Sequence, residues 1–95
     1  RSPLALEFDV KRNEYTGGWF CKFEHNGEKL YADLSNVPFT GPECMIFGCE
    51  PSGSVDFGDE RYIARGGAVS KEALVDHIKK FIEENEEEVS EDGED

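Results

Sequence analysis

Three cysteines, Cys21, Cys44 and Cys49, and two histidines, His25 and His77, carry the side chains best suited to metal binding or nucleophilic catalysis. Four nitrogen and sulfur ligands would close a tetrahedral zinc site. The spacing argues against one here. Cys44 and Cys49 are five apart, which in a strand turns them to opposite faces, and Cys21 and His25 are four apart, about 13 Å along a strand. An odd cysteine count also argues against a secreted disulfide scaffold and fits reduced thiols, two or more of them in the core. Cys21 with His77 would make a nucleophile and its base, but residue type is the sole support for that pair. His25 flanks an Asn-Gly turn, and His77 falls at the boundary of a helix's buried face. A calcium loop needs alternating oxygen ligands, a central glycine and a final glutamate, and the stretch holding the acids Glu50, Asp56, Asp59 and Glu60 lacks that order. They read more simply as a solvated loop. The expectation is a non-enzyme with no catalytic, metal or cofactor-binding residues. A small metal- or thiol-dependent protein using Cys21, Cys44 and Cys49 is the alternative.

Charge is distributed unevenly. The chain of 95 residues carries a formal net charge of −12, and nine of its 22 acids lie between Glu83 and Asp95. Residues 1–82 hold 13 acids against 10 bases. The reading is a nearly balanced domain over residues 1–82, followed by an acidic tail over 83–95. All 11 aromatic residues lie in that domain, whereas Val89 is the tail's single aliphatic residue. The tail cannot offset its ordering entropy alone. A domain of this size buries only about 60–65% of its unfolded surface, so its core is thin. No apolar run approaches the roughly 20 residues of a membrane span, and no signal-peptide pattern is visible. Negative charge disfavours nucleic acid and anionic membranes as direct partners. The expected location is cytoplasmic.

The elements that must position these residues follow from pattern. Leu4, Leu6, Phe8 and Val10 alternate with Ala5, Glu7, Asp9 and Lys11, the period of a half-buried strand. Asn13 to Gly18 is turn chemistry. Trp19, Cys21 and Phe23 alternate with Phe20, Lys22 and Glu24 in a second strand. Asn26-Gly27 is a strong hairpin signal, and Leu30, Ala32 and Leu34 continue a third strand beyond it. Pro38, Gly41 and Pro42 predict a loop. Cys44 to Cys49 is an apolar run of strand length. Glu50 to Glu60 predicts a loop containing a short hairpin near Ser52-Gly53-Ser54, and Arg61 to Arg65 a fifth strand. Ser70 is placed to cap a helix running to about Asn85, with Leu74, Ile78 and Phe81 in one stripe. The fold class is α+β: an antiparallel sheet of four to five strands with one C-terminal helix packed on one face.

Glu43-Cys44-Met45-Ile46-Phe47, Gly53 and Val55, Arg61-Tyr62, Glu72-Ala73 and His77 together resemble a group of small uncharacterised bacterial and phage proteins. In those, a Glu-Thr-Met-Val/Ile-Phe strand precedes a Gly-x-Val turn, an Arg-Tyr strand and a helix opening with Glu-Ala. Cys44 stands where that group has Thr. The resemblance covers residues 43–78. It implies an intracellular protein of phage or mobile-element origin and carries no activity with it.

Protein binding is the function class that remains. Phe20 and Tyr31 fall on the outer sheet face, interleaved with Lys22 and Lys29. Reading nucleic acid on that face would need flanking bases that a net-negative domain does not supply. Two acidic surfaces accompany it: Glu50, Asp56, Asp59 and Glu60, and the run Glu83, Glu84, Glu86, Glu87 and Glu88. These residues are the candidate protein-binding site, and the expected partner is a protein with a basic surface. A sharper form is an inhibitor occupying a groove that normally holds phosphates. A structural assembly subunit pairing through a sheet edge is a further alternative, and the sequence leaves the oligomeric state open.

Overall fold

The structure, a computed structural model, describes residues 8–86. Five strands form one antiparallel sheet in sequence order: β1 (Lys11–Asn13), β2 (Gly18–His25), β3 (Glu28–Val37), β4 (Gly41–Cys49) and β5 (Val55–Arg65). One helix, α1 (Lys71–Glu84), follows. The β2–β3 turn shows why Asn-Gly is so strong a signal. Asn26 and Gly27 both take positive φ, 54° and 80°, as a two-residue turn matched to the strand twist requires.

Register divides the sheet into two faces. Cys21, Ala32, Ile46 and Tyr62 lie opposite one another across β2 to β5, and Trp19, Leu34, Cys44 and Ala64 form the next row. These rows face α1, whose Leu74, Ile78 and Phe81 are buried against them. Ser70 caps the helix, its Oγ accepting from the Ala73 N–H at 3.1 Å. Asn85 closes it, donating from Nδ2 to the Phe81 carbonyl at 2.8 Å. The helix therefore takes in Glu83 and Glu84 from the acidic run, while Glu87 and Glu88 lie outside the described residues.

An ion-paired clamp joins β5 to the start of β3. Arg61 donates from Nε and Nη2 to the two Asp59 carboxylate oxygens, each at 2.9 Å, and from Nη1 to Glu28 at 2.7 Å. Gly48 makes room for it, since a Cβ there would collide with the Asp59 carboxylate.

Three expectations are corrected. The first strand was expected from Leu4. Leu4 and Leu6 lie outside the described residues, and Phe8–Val10 are not in the ladder, which begins at Lys11. Phe8 and Val10 nonetheless pack on the core. Their alternation reports burial rather than strand pairing. Gly41 and Pro42, expected in a loop, open β4, with Pro42 opposite Asn36. The expected 50–60 loop is in fact only Glu50 to Ser54, since β5 begins at Val55 and runs for 11 residues. It bulges against β4 between Ile46 and Phe47 and again between Phe47 and Cys49. Bulges accommodate the extra residues of a strand whose composition looks like a loop.

Candidate functional site

With one helix covering one face, the opposite face of the sheet is left open among the described residues. Its rows are Lys11, Phe20, Asp33, Met45 and Ile63, and Lys22, Tyr31, Phe47 and Glu60. Phe20 and Tyr31 lie there as the alternation predicts, both half-buried, with ring centroids 5.8 Å apart. The structure adds two rings that sequence reasoning missed. Phe57 on β5 packs edge-on to Phe47 at 5.1 Å and to Tyr31 at 6.5 Å. Phe47 is buried beneath it, whereas Phe57 is itself 69% exposed and Ile63 is 41% exposed. The result is a continuous aromatic surface across β2, β3, β4 and β5. Antiparallel sheets commonly turn a polar face to water, and large contiguous apolar patches mark interaction surfaces.

Asp33 sits near the centre of this face. Its Oδ2 accepts from Tyr31 Oη at 3.1 Å and from Asn13 Nδ2 at 3.2 Å, and its Oδ1 accepts from Ser35 Oγ at 2.6 Å. Thr16 continues the chain of donors, giving its hydroxyl to Ser35 at 3.0 Å while accepting the Gly18 N–H at 3.1 Å. Burial and the adjoining Asp33 charge push the Tyr31 phenol far above its ordinary range, so it remains a donor. Asp33 forms no ion pair among the described residues. Glu43, on the same face, is neutralised by Arg65 Nε at 2.7 Å. Between β3 and β4 these side chains line a groove of about 270 Å³, walled by Tyr31, Met45, Phe47 and Phe57 with Asp33 and Glu43.

The other predicted residues are dispersed. Asp59 is engaged by Arg61, which holds its carboxyl below the usual range. Asp56 accepts from the Gly58 N–H at 3.0 Å. Glu50 lies in the β4–β5 turn and Glu60 on β5, both exposed. Glu83, Glu84 and Glu86 are exposed at the end of α1.

The groups with the strongest chemistry are not brought together. Cys21 and Cys44 lie buried on the inner face, and burial pushes their thiols up to about 11 and about 12. His77 meets Tyr62 rather than Cys21, with Nδ1 and the phenol oxygen 3.0 Å apart. His25 packs edge-on to Phe81 at 5.9 Å. Among the described residues no group of three or more His, Cys, Asp or Glu is placed to hold a metal ion. No helix of the described residues is long and apolar enough to cross a membrane.

Comparison of the chain with protein-family models, with curated proteins and with solved structures returned no match.

Proposed function

We propose that this chain is a small, non-enzymatic, cytoplasmic protein-binding module of phage or mobile-element origin, and that it engages a partner with a basic surface through the open face of its sheet. The observation that supports this reading is the aromatic surface of Phe20, Tyr31, Phe47 and Phe57 on the side the helix does not cover. Such rings contribute most to association when a partner desolvates them.

Charge selects the partner class. A chain at −12 repels nucleic acid and a second copy of itself, and it attracts a basic protein. An assembly subunit pairing through the free edge of β5 is less well supported. The strand bulges twice against β4 and carries Asp56, Asp59 and Glu60, features that blunt strand-to-strand association.

Affinity capture with the full chain and with Phe57→Ser, Ile63→Ser and Lys79→Ala tests the proposal. A partner is expected to be lost with both outer-face substitutions and kept with the helix substitution Lys79→Ala. A partner retained by both serine variants would place recognition elsewhere.

A further inference from the structure

We propose, on the reading that the open face is the recognition surface, that the groove over Asp33 takes the guanidinium of an arginine presented by the partner protein. Asp33 is the one carboxylate near the centre of that face, and it forms no ion pair among the described residues. An ionised carboxylate offers about four acceptor positions. Three are filled by Tyr31, Asn13 and Ser35, all of them neutral donors. These bonds fix the orientation of the group and leave its charge uncompensated. One acceptor direction remains, on Oδ1.

The walls of the groove narrow the choice of cation. Tyr31 and Phe57 meet at 80° and Phe47 and Phe57 at 70°, so the ring planes of the cluster run in more than one direction, with Phe57 the most exposed of them. A flat, delocalised, weakly hydrated cation can stack on such rings while donating to a carboxylate at its rim. A compact ammonium keeps more of its hydration and gains less from the aromatic wall. An anion is disfavoured by the Asp33 carboxylate, which no cation neutralises among the described residues. A metal ion is disfavoured because Glu43 is already committed to Arg65 at 2.7 Å. The groove, about 270 Å³, has room for one long side chain.

Heteronuclear NMR titration of the full chain at physiological salt, with the blocked pentapeptide Ac-Gly-Leu-Arg-Leu-Gly-amide, tests the proposal. The controls are its twins with citrulline or lysine at the centre. Citrulline keeps the shape of arginine and removes the charge. The arginine peptide is expected to move the amide resonances of Tyr31, Asp33, Met45 and Phe47. The citrulline twin is expected to bind about tenfold more weakly or worse, the size of one charge-assisted hydrogen bond. Lysine is expected to fall between them. Asp33→Asn, which keeps one acceptor oxygen and removes the charge, should lower arginine-peptide affinity to the level of the citrulline twin while amide dispersion shows the fold retained. Equal binding of the arginine and citrulline peptides overturns the arginine site. So does a response confined to the acidic residues after Glu83, or no response on the face at millimolar peptide. If the two peptides bind equally and Phe57→Ala removes both, the face stands as a docking surface and only the arginine assignment falls. If Phe57→Ser and Ile63→Ser leave partner capture intact, the docking surface itself falls.

Discussion

Two isoleucines on opposite sides of the sheet separate a covered face from an open one. Ile78 on α1 has no solvent exposure, whereas Ile63 on β5 is 41% exposed on the outer face. Truncation of a buried isoleucine to alanine removes three carbons and leaves a cavity, at a cost of about 2–5 kcal/mol. Ile78→Ala should lie near the middle of that range, because the sheet above it cannot collapse into the gap. Ile63 already shows much of its surface to water, so Ile63→Ala should cost no more than about 1 kcal/mol on area burial. A fold of this size has about 4–12 kcal/mol of total stability, at roughly 0.05–0.15 kcal/mol per residue. Each kcal/mol corresponds to about 4–8 °C in melting temperature for so small a domain. Ile78→Ala should therefore fall by roughly 15–25 °C and Ile63→Ala by less than about 8 °C. Urea unfolding followed by Trp19, the chain's one tryptophan, gives the same comparison at constant temperature, and Ile78→Val keeps it measurable if the alanine variant is too weak to fold. Equal losses for the two positions, at unchanged slope, would refute the reasoning. They would mean that the outer face is covered in the free protein.

Three further outcomes follow from local geometry. Gly18→Ala would drive a Cβ into the Leu34 carbonyl and to 2.9 Å from the Ser35 Cα, so it should cost about 1–3 kcal/mol or more in thermal unfolding; Gly58→Ala, whose Cβ meets nothing nearer than Asp56 at 3.4 Å, should be close to neutral. Brief alkylation of the native chain near neutral pH should modify Cys49, which is partly exposed, and spare the buried Cys21 and Cys44, whose raised pKa values suppress the thiolate; intact-mass analysis counts the adducts, and three at once would show that the inner face opens. Burial, with Lys80 nearby and Asp76 in partial opposition, holds the His77 imidazole below its ordinary value, so the folded chain binds that proton less readily than the unfolded one. The stability His77 contributes is then full above about pH 6.5 and is lost as pH falls through the folded value, so wild type should lose more stability than His77→Gln on moving from neutral to mildly acidic pH.

Features encoded locally were the legible ones. Ser70, the Leu74, Ile78 and Phe81 stripe, and the Asn26-Gly27 turn each specify their own conformation over a few residues. Tertiary pairing decided the rest. Asp56, Gly58, Asp59 and Glu60 have poor strand propensity, yet β5 extends through them because β4 offers a ladder and bulges absorb the mismatch. Half of the candidate site was hidden for the same reason. Phe20 and Tyr31 could be read from alternation, whereas Phe47 lay in an unbroken apolar run that shows no facing, and Phe57 in a stretch that reads as loop. Alternation puts Asp33 on the same face as Tyr31 and says nothing of what it bonds. The pairing of β1, β2 and β3 brings Asn13 to it beside Tyr31 and Ser35, and no base among the described residues pairs with it.

The placement of the acids also separates two electrostatic roles that the net charge merges. Asp59 and Glu43 are committed to Arg61 and Arg65 within the fold. The charges left to act at a distance are exposed ones, such as Glu50, Asp56, Glu60, Glu83, Glu84 and Glu86, together with the further acids of the sequence to Asp95. Exposed charges act through solvent and are screened over about 8 Å at physiological ionic strength. They should steer a basic partner toward the chain and set its association rate. Asp33, half-buried among aromatic rings, is screened only when the complex is apart, so its effect should appear in dissociation. With the partner recovered by affinity capture, surface plasmon resonance at low and high salt should show the association rate falling steeply and the dissociation rate changing little. Asp33→Asn should do the reverse, raising the dissociation rate about tenfold with a near-normal association rate. If the substitution instead slows association and leaves dissociation unchanged, Asp33 is one more steering charge, and the face holds its partner by apolar contact alone.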